Sequence, residues 1–225
     1  MYFEEARDYL QKEVKDQYGR RIGSVAGIYT NMKDEVTALE LVYADGDMDQ
    51  IPFDQFIISG GSVQIIKPWK LKAADVVKQY GEALKRQEAL EELLRTGEIS
   101  KDVFDDLESQ VEAAITQLKV RRDEVKKDLA DQIGKLDAKK RALLDFLANA
   151  KVQHRLGDLD DQAFGEMVSV SNFALNSTRA EREDLAAMLD QLTRLGVERP
   201  AEARPEPKPQ DELIVKMEDD GGGQS

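Results

Sequence analysis

From Leu71 to about Gly196 apolar residues recur at helical spacing and no proline interrupts them, which constrains this chain more than any other feature. About 125 residues must be accommodated as nearly continuous helix. Two breaks are legible because they repeat each other: Gly97-Glu98-Ile99-Ser100 leads to Phe104, and Gly157-Asp158-Leu159-Asp160 leads to Phe164. In each, glycine suits the left-handed position that ends a helix, and Ser100 or Asp160 can cap the next one. Ile99 or Leu159 can staple to the phenylalanine that follows. The spacing predicts three antiparallel helices over about 72–95, 101–156 and 161–195. At ~1.5 Å per residue these span roughly 36, 84 and 52 Å, so the first and third laid end to end match the second. The first is expected to pack along the early part of the second helix and the third along the rest. Residues Phe104 to Val125 keep one heptad phase and Leu129 to Ala150 another, with a slip between Val125 and Leu129. The same seams also suit pairing between subunits, and periodicity does not choose between the two.

Ahead of the helices, residues from about Val14 to Trp69 read as short strands. Runs such as Val36 to Val42 and Val63 to Ile66 are separated by turn chemistry at Asp45-Gly46 and Gly60-Gly61. Five or six strands of this length suggest a small antiparallel β-barrel. The expected fold class is α+β: an N-terminal barrel, a long antiparallel helical coiled-coil rod and a disordered tail. By residue the organisation is 1–70 β domain, 71–196 helical region, 197–210 linker, 211–220 partner-binding peptide and 221–225 disordered.

Catalytic chemistry is not visible. The single histidine, His154, sits at the end of the second helix, where a favourable interaction with the helix C-terminus explains it. The acidic turn Asp45-Gly46-Asp47-Met48-Asp49 fails as a calcium loop because Gln50 and Phe56 stand where glycine and glutamate are needed. Gly19, Gly23 and Gly27 signal turns or close strand packing. There is no cysteine, which removes disulfides and thiolate metal sites and fits a cytosolic protein. The opening MYFEEARDYL lacks a signal-peptide profile, and no run of eighteen apolar residues occurs. The expectation is a soluble or membrane-peripheral protein that is not an enzyme and needs no cofactor or metal.

Charge is unevenly spread. The net charge of −13 disfavours a general affinity for nucleic acid or anionic lipid. Yet Lys119 to Arg155 carries eleven Lys and Arg against six Asp and Glu. Arg121, Arg122, Lys126, Lys127, Lys139, Lys140 and Arg141 are the candidate anion-binding residues, facing DNA or a membrane surface. The alternative is a solvated helix face, or pairing with Glu181, Glu183 and Asp184 on the third helix.

Four of the six prolines, Pro200, Pro205, Pro207 and Pro209, crowd together just ahead of DELIVKMEDD at 211–220. A stiff spacer followed by a short apolar strand-like segment is the layout of a tethered docking peptide. Leu213, Val215 and Met217 would alternate with Ile214 and Lys216, and the flanking acids suit a basic partner surface.

Tyr18-Gly19-Arg20-Arg21-Ile22-Gly23-Ser24-Val25 resembles the G-x-x-[IL]-G-x-V strand of PRC-barrel domains. Taken with the rod, the proline linker and the LIVKM segment, the chain resembles the CdvA family of archaeal cell division proteins over nearly its whole length. That resemblance implies a non-enzymatic cytoplasmic scaffold, peripheral to the membrane at the division site, that self-associates into dimers or polymers. It further implies recruitment of the ESCRT-III homologue CdvB, whose winged-helix domain would be bound by Leu213, Ile214, Val215, Lys216 and Met217. The competing reading is a PRC-barrel adaptor for RNA or the ribosome that uses the basic part of the long helix.

Overall fold

The computed structural model describes residues 1–195; the linker, the docking peptide and the terminal disorder expected over 197–225 lie outside the described residues. A short helix α1 (Phe3–Ala6) precedes six strands: β1 (Glu13–Asp16), β2 (Arg21–Thr30), β3 (Val36–Tyr43), β4 (Met48–Pro52), β5 (Phe56–Ser59) and β6 (Ser62–Ile65). They form one sheet in the order β4-β3-β2-β1-β6-β5. All neighbours are antiparallel except β1 and β6, which run parallel with Val14 opposite Val63 and Asp16 opposite Ile65.

The closed antiparallel barrel expected from the sequence is thereby corrected to an open mixed sheet. Among the described residues no ladder joins β4 to β5, which are the two edges. Pro52 ends β4 without an N–H to offer, a 3₁₀ turn over Phe53–Gln55 follows, and β5 has only four residues, so both edges are blunt. The β5–β6 hairpin instead returns to the free side of β1. Alternate residues of these strands, among them Val14, Val25, Leu39, Leu41 and Val63, join Phe56 and Ala6 in one apolar cluster.

Two glycines in the sheet have distinct physical reasons. Gly19 turns the chain between β1 and β2 at φ +79°. Gly23 lies so close to β3 that a Cβ there would stand 2.2 Å from the Val42 carbonyl oxygen.

Three helices follow: α2 (Pro68–Thr96), α3 (Lys101–Leu156) and α4 (Asp161–Arg194). Pro68 opens α2, ahead of the point at Leu71 where helical spacing becomes visible, because a proline in the first turn forfeits no helical hydrogen bond. Both reversals are built alike. Gly97 and Gly157 adopt φ +79° and +81°, and Glu98 and Asp158 donate their N–H groups back to the Leu93 and Gln153 carbonyls. Ser100 Oγ accepts from Val103 N at 3.4 Å and Asp160 Oδ1 from Ala163 N at 2.7 Å, so the second cap is the firmer. Phe164 stacks on the His154 ring at 4.3 Å between centroids, and His154 Nε2 lies 2.8 Å from Asp161 Oδ1.

The described chain comprises two compact units. One holds the sheet with the start of α2, α3 from Val120 onward and α4. Its second apolar cluster gathers Trp69, Ala73 and Val76 from α2, Val125 and Leu129 from α3, and Leu185 and Leu192 from α4. Three helices therefore meet at the very residues where the heptad phase slips. The first and third helices overlap there instead of abutting, with Val125 and Leu129 on either side of the slip packed against residues of both. The other unit, over residues 79–119, is a hairpin of α2 and α3 that buries Tyr80, Leu90, Leu94, Phe104, Val111 and Ile115.

Gly23→Ala is expected to cost about 1–3 kcal/mol in urea unfolding, since β2 and β3 must separate to admit the methyl group. Gly27→Ala, whose Cβ would meet Glu40 Cβ at 3.2 Å, should cost less; the reverse order would refute the close-approach account.

Candidate functional site

The G-x-x-I-G-x-V segment does not end in a pocket; it is one half of a polar clamp between sheet and helices. Asp16, the last residue of β1, is fully buried. Its Oδ1 accepts from the backbone N–H groups of Tyr18 (2.9 Å) and Arg20 (3.0 Å), fixing the turn that follows. Its Oδ2 accepts from Arg20 Nε at 2.7 Å and lies 3.2 Å from Lys67 Nζ. Two cations and two amides thus satisfy one buried carboxylate.

From there the network crosses to α4. The Arg20 guanidinium donates to Glu181 Oε2 and lies 5.2 Å from the Tyr18 ring centroid. The Tyr18 hydroxyl donates to Asp184 Oδ2 at 3.1 Å, and Lys70 Nζ reaches the same oxygen at 2.9 Å. Ser177 Oγ donates to the Tyr18 carbonyl at 2.9 Å, and the Phe173 ring lies over Gly19. Phe173, Ser177, Glu181 and Asp184 fall at i, i+4, i+8 and i+11, so one face of α4 carries the whole set.

The electrostatics follow from this geometry. Burial pushes the Asp16 carboxyl up, but the Arg20 and Tyr18 amides and the Arg20 guanidinium outweigh it and hold the pKa below the ordinary value. Burial opposes the charge on Arg20, yet Glu181 and Asp16 more than compensate and raise its pKa. Burial first, and then the Asp184 charge, push the Tyr18 phenol far up, so it stays a neutral donor. The arrangement is mechanical in character: it fixes α4 to the β1–β2 turn.

Sequence reasoning missed Asp16, Ser177 and the role of Glu181. The available signal was that Asp16 shares the inward side of β1 with Val14, and that polar residues interrupt the apolar pattern of α4.

The candidate anion-binding residues separate into groups. Arg121 donates to Asp75 Oδ2 of α2 at 2.7 Å, and Arg122 donates to the Leu195 carbonyl at 2.7 Å, so both tie helices together. Lys126 is half-buried and Lys127 exposed. Lys139, Lys140 and Arg141 are consecutive, exposed, and in no ion pair among the described residues. The acids considered as their partners are taken elsewhere: Glu181 by Arg20, Asp184 by Lys70 and Glu183 by Arg179. An α3–α4 ion pair of the opposite polarity is present, Arg182 to Asp137 at 2.6 Å. Leu213, Ile214, Val215, Lys216 and Met217 lie outside the described residues. Among the described residues no helix is long and apolar enough to cross a membrane.

Asp16→Asn, which leaves Arg20 and Lys67 short of a counter-charge, is expected to destabilise the protein by about 3–5 kcal/mol. Because the folded-state pKa of Asp16 is lowered, its contribution is complete above the unfolded value of about 3.9 and is lost as pH falls below it. Thermal unfolding from pH 7 down to pH 3 should accordingly show a shallower acid decline for Asp16→Asn than for the native chain; parallel curves would contradict this role.

Comparison with known proteins accords with this architecture. A family model for the CdvA-like coiled-coil domain matches residues 68–213, covering all three long helices. Cell division protein A of Sulfolobus acidocaldarius is 25% identical over 190 residues, which cover 84% of this chain and 79% of that protein. A helical match of this extent, continued into the sheet by the relative's coverage, means that the chain belongs to the CdvA family.

Proposed function

We propose that this cell division protein is a non-enzymatic scaffold that self-assembles at the division site, peripheral to the membrane, and recruits an ESCRT-III homologue, CdvB, through its C-terminal segment. The observation that carries the reading is the reach of the family match. It runs from the start of α2 through the proline-rich stretch to Leu213, the first residue of the LIVKM segment. Long helices clamped to a sheet suit an assembling body, and the stiff polar spacer suits presentation of a peptide at a distance from it.

Recruitment works by strand addition. Backbone groups of residues 213–217 extend an exposed sheet edge of the partner's winged-helix domain and supply affinity. Leu213, Val215 and Met217 fill alternate pockets and supply selectivity. Asp211, Glu212, Glu218, Asp219 and Asp220 steer the segment to a basic surface and discourage pairing with itself.

A peptide of residues 208–220 should bind the partner's winged-helix domain, and Ile214→Asp or Val215→Asp should abolish binding in calorimetry. A chain ending at Gln210 should still assemble in sedimentation but fail to co-purify with the ESCRT-III homologue. Undiminished affinity in both substituted peptides would overturn the recruitment mechanism.

A further inference from the structure

The open sheet leaves one side of β4 free. Its ladder to β3 pairs Leu41 with Asp49 and Leu39 with Ile51, and at the turn the Tyr43 N–H donates to the Asp47 carbonyl. Bonded and unbonded pairs alternate in an antiparallel ladder, so counting from Tyr43 the backbone groups of Asp49 and Ile51 face β3. Those of Met48 and Gln50 point away from it, and among the described residues no strand takes them up.

A groove of about 390 Å³ lies along that side. It is lined by Ile22, Tyr43, Ile51 and Pro52 and, where the chain passes from β6 to α2, by Ile65 and Pro68. Its floor is continuous with the core of the sheet, because Ile22, Tyr43, Ile51 and Ile65 pack against the buried cluster. Towards the Gly46 turn it adjoins a second hollow of about 450 Å³, lined by Tyr43, Asp45, Asp47, Met48 and Asp49. The three carboxylates are exposed and in no ion pair among the described residues. An unpaired strand edge, an apolar groove and an acidic end thus stand side by side.

We propose that β4 and this groove bind an extended segment of a partner protein, with apolar side chains at alternate positions and lysine or arginine at the end nearest the Gly46 turn. The segment adds a strand by pairing with the outward groups of Met48 and Gln50. Alternate apolar side chains enter the groove, and the cation meets Asp45, Asp47 and Asp49. Charge decides the occupant. The chain's own apolar segment at 213–217 has Asp211 and Glu212 on one side and Glu218, Asp219 and Asp220 on the other. Either strand direction would set one acidic flank against the acidic turn, which disfavours self-docking and selects a basic guest. The edge is also short, closed by Pro52 at one end and by the turn at the other, so it admits one strand without templating a continuous sheet. The site lies on the sheet and is independent of recruitment by the C-terminal segment.

The full-length protein is titrated with two capped heptapeptides, one alternating valine with lysine and one alternating valine with glutamate. A chain of net charge −13 attracts any cationic peptide, so the readout is amide exchange at individual residues. With the lysine peptide, exchange at Met48 and Gln50 should slow by roughly tenfold or more, whereas Asp49 and Ile51, already bonded to β3, should change little. The glutamate peptide should leave all of them unchanged. Asp47→Lys should weaken binding by roughly fivefold, since it reverses a charge at the rim. Gln50→Pro removes an outward N–H and spares the ladder to β3, so it should abolish the protection at Met48. Binding without protection of Met48 and Gln50, no binding, equal binding of the two peptides, or full affinity in Asp47→Lys overturns the proposal. Protection of these amides already in the free chain, or by a peptide of residues 208–220, overturns it also, since the chain itself would then occupy the site.

Discussion

One buried carboxylate organises the junction between the two kinds of structure in this chain. Asp16 has no access to water, and an isolated ion in that position would be far too costly. Arg20, Lys67 and two backbone amides compensate it, and each of those groups sits where another element begins. Arg20 leads into β2, and Lys67 immediately precedes α2. Arg20 also reaches Glu181 on α4. The turn conformation, the exit of the chain from the sheet and the seat of the last helix are thus linked by shared charges, so they form together.

The helical part depends on a different constraint, the change of heptad phase in α3. A helix with one uninterrupted stripe serves one neighbour along its length. With two phases meeting at Val125 and Leu129, α3 serves α2 and α4 at the same level, and both close on the same apolar cluster. Arg121 and Arg122 seal the rim of that cluster by bonding Asp75 and the Leu195 carbonyl. They are adjacent in sequence to other basic residues, but their place beside the three-helix cluster gives them a structural role.

Local chemistry was readable from the sequence and long-range pairing was not. The reversals at Gly97 and Gly157 could be placed because a left-handed glycine and a capping side chain act within a few residues. The parallel pairing of β1 with β6 joins segments nearly fifty residues apart, and nothing local distinguishes it from a closing antiparallel strand. The burial of Asp16 was not legible, since the β1–β6 pairing and Lys67, some fifty residues away, complete the enclosure that Arg20 and the two turn amides begin. Lys139 to Arg141 and Arg121 to Arg122 were indistinguishable as basic residues. What lies opposite each, a feature of tertiary structure, separates them.

The polar contacts between α4 and the β1–β2 turn lie side by side along one helix face over about two turns, from Ser177 to Asp184. Bonds arranged in that way resist a pull along the helix axis collectively, in shear, since none can part without straining the others. A tension applied to α4 would therefore pass into the sheet as a whole instead of peeling the helix away bond by bond.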